Sequence, residues 1–312
     1  MKITVVGAGK VGSMVAQRVA EKDLADVVLI DISGGLSRGL SLDLAQSAPI
    51  SGFDVKIAGT DDYGLTAGSD LVVMTAGFAR TPGMSRLDLL KRNAGVVRDV
   101  MVKVRETSPA ALVVVVTNPV DEMTYLSAEV TGFPKNRVMG MAGTLDSARY
   151  KHFISEVTGV PHGQISARVL GSHGDCMVPL VSSCTVDGRE LSAVLDADKI
   201  RELTERTRNG GSEIVAYLES GSAYFAPSAA TVEMVEAIVA DVDRTLPVSA
   251  FVEGQFGLSD IFIGVPARLG RAGVTGIVEI ALSESEQEGM RRAGDLIAEK
   301  LRDLKSVGLG QT

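Results

Sequence analysis

The sequence predicts an α/β fold: a doubly wound parallel sheet, followed by a C-terminal α+β domain. Three observations predict it. Short β-branched apolar runs alternate with amphipathic segments over residues 1–143, the pattern of strands joined by crossover helices. Glycine makes up 34 of 312 residues, about 11% against the usual ~7%, as a chain with many tight turns requires. Beyond residue 143 the rhythm changes to longer helices set among short strands and turns.

Each element follows from its local pattern. Ile3-Thr4-Val5-Val6 is a strand, followed by glycines and a helical pattern from Val11 to Ala20. Val27 to Ile30 is a second strand ending at Asp31, a helix-like segment spans Leu36 to Ala45, and Phe53 to Ala58 reads as a third strand. Leu71 to Met74 is the fourth. From Arg86 to Arg105, Leu89, Leu90, Val97, Val100, Met101 and Val104 recur at helical spacing. Leu112 to Val116 is a fifth strand, apolar throughout, as expected when both faces are covered. In the second half, Leu145 to Thr158 reads as helix, and Ser166 to Cys184 mixes short strands with turns. Helices are expected over Asp198–Glu219 and Ser228–Val242, and strands near Val248–Val252, Ile261–Val265 and Gly276–Ile280. The last helix, Glu284 to Lys305, carries Met290, Ala293, Leu296, Ile297, Leu301 and Leu304 as its apolar stripe. No repeat or long linker interrupts the chain, so domains of 1–143 and 144–312 are expected within one compact body.

Composition excludes several classes of function. Acids outnumber bases 39 to 31, a net charge of −8, which argues against a nucleic-acid partner. The longest purely apolar stretch, Ala110 to Val116, is far short of the ~20 residues that span a bilayer. Met1-Lys2 leads directly into a strand pattern, with no signal-peptide signature. Two cysteines, Cys176 and Cys184, make no disulfide framework, so a reducing, cytoplasmic setting is expected.

Gly7-Ala8-Gly9-Lys10-Val11-Gly12 fits G-x-G-x-x-G between a strand and a helix, and Asp31 ends the next strand 19 residues after Gly12. That context points to a dinucleotide. Gly7 would allow the tight turn, Gly9 the approach of a pyrophosphate, and Gly12 close helix–strand packing. The helix N-terminus would offer its free N–H groups to phosphate, and Asp31 would bind the adenosine ribose and repel a 2′-phosphate.

Candidates for proton chemistry lie further on. His173 stands in Leu170-Gly171-Ser172-His173-Gly174-Asp175, where flanking glycines leave an imidazole open; the same pattern also suits an ordinary turn histidine. Asp146 and Arg149 are three residues apart and project from one helix side, either as a surface pair or as an orienting carboxylate and a carboxylate-binding guanidinium. Gly77 to Arg86 holds Arg80 and Arg86 between glycines, reading as a solvated loop or as a lid bringing positive charge to an anion. Thr117-Asn118-Pro119 closes the fifth strand, at the carboxyl edge where such sheets bind ligands.

Taken together and in order, these motifs resemble the lactate/malate dehydrogenase family, and within it the malate dehydrogenases built on the lactate dehydrogenase plan. The likeness runs end to end and includes Asn93, Leu145-Asp146-Ser147-Ala148-Arg149 and Gly264-Val265-Pro266. It implies a Rossmann-type first domain, NAD as cofactor and no metal. It implies that Gly7, Ala8, Gly9, Lys10, Val11, Gly12, Asp31, Asn93, Val116, Thr117 and Asn118 hold NAD. It also implies that His173 exchanges the proton while Asp146 orients it, and that Arg149, Arg86, Asn118 and Arg80 bind substrate. An arginine at position 80 accompanies malate in this family, and Gly221-Ser222-Ala223 is expected at the pocket floor. The resemblance further implies a homodimer or homotetramer. L-lactate dehydrogenase and a non-catalytic NAD-binding redox sensor are the alternatives. Gly34 stands where an acid is common, Ser37 where a proline is usual and Arg38 where a glutamine is usual; Asp31 is kept, so NAD remains the expectation.

Overall fold

In the computed structural model, which describes residues 1–79, 85–174 and 176–306 and only the backbone of Arg86 and Ser306, the alternating apolar runs build one continuous sheet. The first half runs β1 (Lys2–Val6), α1 (Lys10–Glu21), β2 (Asp26–Ile30), α2 (Gly34–Ser51), β3 (Ile57–Thr60) and β4 (Leu71–Met74). It continues through α3 (Arg86–Thr107), β5 (Leu112–Val115), α4 (Val120–Thr131) and β6 (Val138–Gly140). The second half comprises α5 (Gly143–Thr158), β7 (Ile165–Ser166), β8 (Val169–Gly171), β9 (Met177–Pro179), β10 (Thr185–Val186) and β11 (Arg189–Glu190). It ends with α6 (Ala197–Leu218), α7 (Phe225–Ala240), β12 (Arg244–Glu253), β13 (Ser259–Gly270), β14 (Gly273–Ile277) and α8 (Glu284–Ser306).

Strands β3-β2-β1-β4-β5-β6 are parallel neighbours in that order. The order reverses between β1 and β4, which opens a crevice above their carboxyl ends. The sheet then continues antiparallel through β12, β13, β8 and β9, with β14 on β13 and a separate β11-β10-β7 sheet beside it. The join between halves is one register pair, Gly140 of β6 with Ser249 of β12. A single apolar core crosses that join, from Ile3 and Val73 through Val248 and Phe262 to Leu304. A smaller core gathers Tyr150, Phe153, Ile165 and Leu191. Among the described residues no helix is long and apolar enough to cross a membrane.

Several elements depart from expectation, among them β3, α4 and β6. β3 begins at Ile57 rather than Phe53, because α2 continues to Ser51 and Phe53 serves as a buried plug after it. α4 and β6 are absent from the sequence-based reading. α4 is buried on almost every side, including Asp121, Glu122 and Thr124, so it shows no polar stripe, and β6 is only three residues long.

Candidate active site

The crevice is lined first by the glycine loop. Gly7 has φ +101°, where a side chain is strained. A methyl on Gly12 would overlap the Gly7 carbonyl oxygen, so the glycine is what lets α1 close onto β1, whereas one on Gly9 would meet nothing within 4 Å. Gly9 caps α1 without a side-chain bond, and no acid lies in the first turn, leaving free N–H groups facing open space. This cradle suits the pyrophosphate of a dinucleotide. Lys10 opens α1 with its ammonium 5.3 Å from the Tyr224 ring centre, and Val11 follows half-buried. Asp31 Oδ2 accepts the Ala8 N–H at 2.7 Å and Oδ1 accepts the Ser33 N–H at 2.9 Å, which fixes the carboxylate at the end of β2.

The opposite wall comes from β5. Val116 is half-buried, and the buried Thr117 hydroxyl donates to the Ala76 carbonyl at 2.8 Å. Asn118 is exposed at the carboxyl edge and precedes a cis bond to Pro119. Asn93, expected against the cofactor, is fully buried. Its amide donates to the Asn118 and Phe78 carbonyls at 2.6 and 3.1 Å and accepts the Phe78 N–H at 2.7 Å. It therefore holds two loops in register rather than facing the cleft.

β8 ends at Gly171 and delivers His173 to the same edge, while α5 delivers Asp146 and Arg149. Asp146 is 1% exposed. Its Oδ2 lies 2.7 Å from His173 Nδ1 and its Oδ1 accepts a bond from Arg149 Nη1 at 3.2 Å. A carboxylate facing Nδ1 assigns the proton to that nitrogen and leaves Nε2 as the exchangeable site. Burial pushes the His173 pKa down, but the charge and hydrogen bond of Asp146, with the charge of Asp121, outweigh it, so the pKa is raised. Arg149 fits because α6 presents Gly210, where a methyl would stand 3.2 Å from the arginine Cδ. Its Nε is buried without a partner. Gly221-Ser222-Ala223 forms the joint between α6 and α7. Arg80 lies outside the described residues, as does the side chain of Arg86, which opens α3.

Sequence reading missed Asp121 and Ser249. Asp121, 1% exposed, accepts the His173 backbone N–H at 3.1 Å and the Ser249 hydroxyl at 2.6 Å. Its pKa is raised to about 6 by burial and by the neighbouring Glu122. Glu122, also buried, meets Lys300 of α8 at 3.0 Å. The one sequence signal is the acidic pair Asp121-Glu122, one residue past Asn118-Pro119.

The profile of the lactate/malate dehydrogenase NAD binding domain matches residues 1–140, and that of the family's alpha/beta C-terminal domain matches residues 143–307. The chain belongs to the lactate/malate dehydrogenase family. A malate dehydrogenase from Roseiflexus sp. (strain RS-1) is 48% identical over 306 residues, covering 98% of this chain and 99% of that protein. The 1.55 Å structure of malate dehydrogenase from Salinibacter ruber superposes with a TM-score of 0.94 at 44% identity, covering 98% of both chains. The lactate dehydrogenase from Cryptosporidium parvum, solved with lactic acid and nicotinamide adenine dinucleotide, superposes with a TM-score of 0.95 at 38% identity, covering 97% of this chain and 98% of that one.

As a member of this family the protein is an NAD-dependent 2-hydroxy acid dehydrogenase. Malate and lactate enzymes superpose on it equally well, so the backbone does not separate their substrates. That separation belongs to side chains.

Proposed function

We propose that this enzyme interconverts (S)-malate and oxaloacetate, with NAD and NADH as the second substrate pair. The observation that carries the reading is the buried Asp146 carboxylate shared between His173 and Arg149, which ties an acid–base group to a carboxylate anchor. Relatives named malate dehydrogenase at 48–50% identity support the diacid.

Bound NAD supplies the hydride acceptor. Arg149 grips the C1 carboxylate of malate with paired N–H groups. His173 Nε2 takes the hydroxyl proton as the C2–H hydride departs, and returns it when oxaloacetate is reduced. Asp146 keeps Nδ1 protonated and stabilises the imidazolium as it forms. Asn118 hydrogen-bonds the substrate oxygen at the sheet edge. By the family likeness, Arg86 polarises the C2 oxygen, and Arg80 pairs with the second carboxylate, which would be costly to bury alone. The strongly exposed Leu42 and Ile50 of α2 support a homodimer or homotetramer. The domain division at 143/144 and a cytoplasmic setting complete the proposal.

One steady-state series tests it, following NADH with oxaloacetate and with pyruvate. The unaltered enzyme should prefer oxaloacetate. Arg80→Gln should erode that preference by about 100-fold or more. His173→Asn should lose about 10³-fold or more in turnover while binding NADH normally. Preference for pyruvate, or turnover surviving in His173→Asn, would sink the reading.

A further inference from the structure

The segment after Asp31 carries Gly34 and Arg38, and the structure couples both residues to Asp61. The ends of β2 and β3 are in register, Ile30 opposite Thr60, and the Asp31 N–H donates to the Thr60 carbonyl at 3.1 Å. Asp31 and Asp61 therefore leave neighbouring strands at one level. The Asp61 carboxylate is seated against Gly34, where any Cβ would overlap it. Its Oδ1 accepts a hydrogen bond from Arg38 Nη1 at 3.0 Å. The position is not casual, because α2 is pinned to this strand end. Ser37, fully buried, donates to the Thr60 carbonyl at 2.9 Å. A methyl on Gly59 would overlap the Ser37 carbonyl oxygen.

The charge pattern gives this pair a purpose. The first turn of α2 holds no acid, and its cap residue Ser33 makes no side-chain bond. Free N–H groups there, with the Arg38 guanidinium one turn on, would attract a phosphate group. Asp61 opposes that attraction by neutralising Arg38. An acid thus reaches the start of α2 from the end of β3, and glycine at 34 is what makes room for it.

We propose that Asp61 is a second determinant of cofactor choice, acting with Asp31 to refuse a nucleotide that bears a 2′-phosphate by holding Arg38 away from it. The inference rests on the NAD reading above and names the residues that enforce it.

Equilibrium titration calorimetry with NADH and with NADPH tests it on four proteins: the unaltered enzyme, Asp61→Asn, Gly34→Ala and the double variant Asp61→Asn/Arg38→Ala. Asp61→Asn should bind NADPH about 5-fold more tightly or better, with NADH affinity changed by less than about 2-fold, the scale expected for releasing an exposed ion pair. Gly34→Ala should move in the same direction by displacing the Asp61 carboxylate, and the double variant should lose the gain. An unchanged NADPH-to-NADH affinity ratio in Asp61→Asn would overturn the proposal, as would a gain that survives removal of Arg38. Absence of NADH binding by the unaltered enzyme would overturn the underlying cofactor reading instead, and separates the two failures.

Discussion

A carboxylate shut away from water is expensive unless every oxygen is paired, and Asp121 meets that condition with one backbone and one hydroxyl donor. What it gains is influence over the neighbouring imidazole, whose protonated form its charge favours. On the proposed mechanism malate oxidation needs neutral His173, so kcat/KM for malate should rise with pH through a pKa above the ordinary imidazole value of ~6.5. Asp121→Asn removes a negative charge that favours the imidazolium. The rising limb should then move to lower pH, while kcat/KM falls by about 10- to 100-fold from the looser His173 backbone. A lower rate with an unmoved limb would leave Asp121 a purely structural part. Residues such as His173, Asp146 and Arg149 were legible because flanking glycines and helical spacing mark them. Asp121 was not, since the hydroxyl that completes its pairing stands at Ser249, far along the chain.

Among the helices, those with one wet face were legible and α4, which has none, was not. α8 shows its apolar stripe openly, whereas α4, wrapped on nearly all sides, offers no period to read. Close approach of two strands is equally silent in sequence, yet it explains Gly264-Val265-Pro266. Gly264 of β13 pairs with Gly171 of β8, and a methyl on Gly264 would press on the Gly171 carbonyl oxygen. Two residues later the same strand end delivers His173. Gly264→Ala should therefore cost about 1–3 kcal/mol in unfolding free energy, measured by denaturant titration, and lower kcat while NADH affinity holds. Loss of NADH binding with unchanged kcat would contradict that placement.

For the whole molecule, the rhythm shifts near residue 143 within one compact body, and sheet and core run through that point. Calorimetry should show one transition with matching calorimetric and van't Hoff enthalpies; two resolved transitions would show that the shared core does not couple the halves. At the seam, Ser249 pairs with Gly140 across the join and also donates to Asp121, which holds His173. The proposed base, His173, is thus tethered to the line about which the halves would swing. A jaw-like rotation there would break the bonds of Asp121, on the first half, to His173 and Ser249 on the second. A seam that stays fixed through turnover leaves both bonds whole.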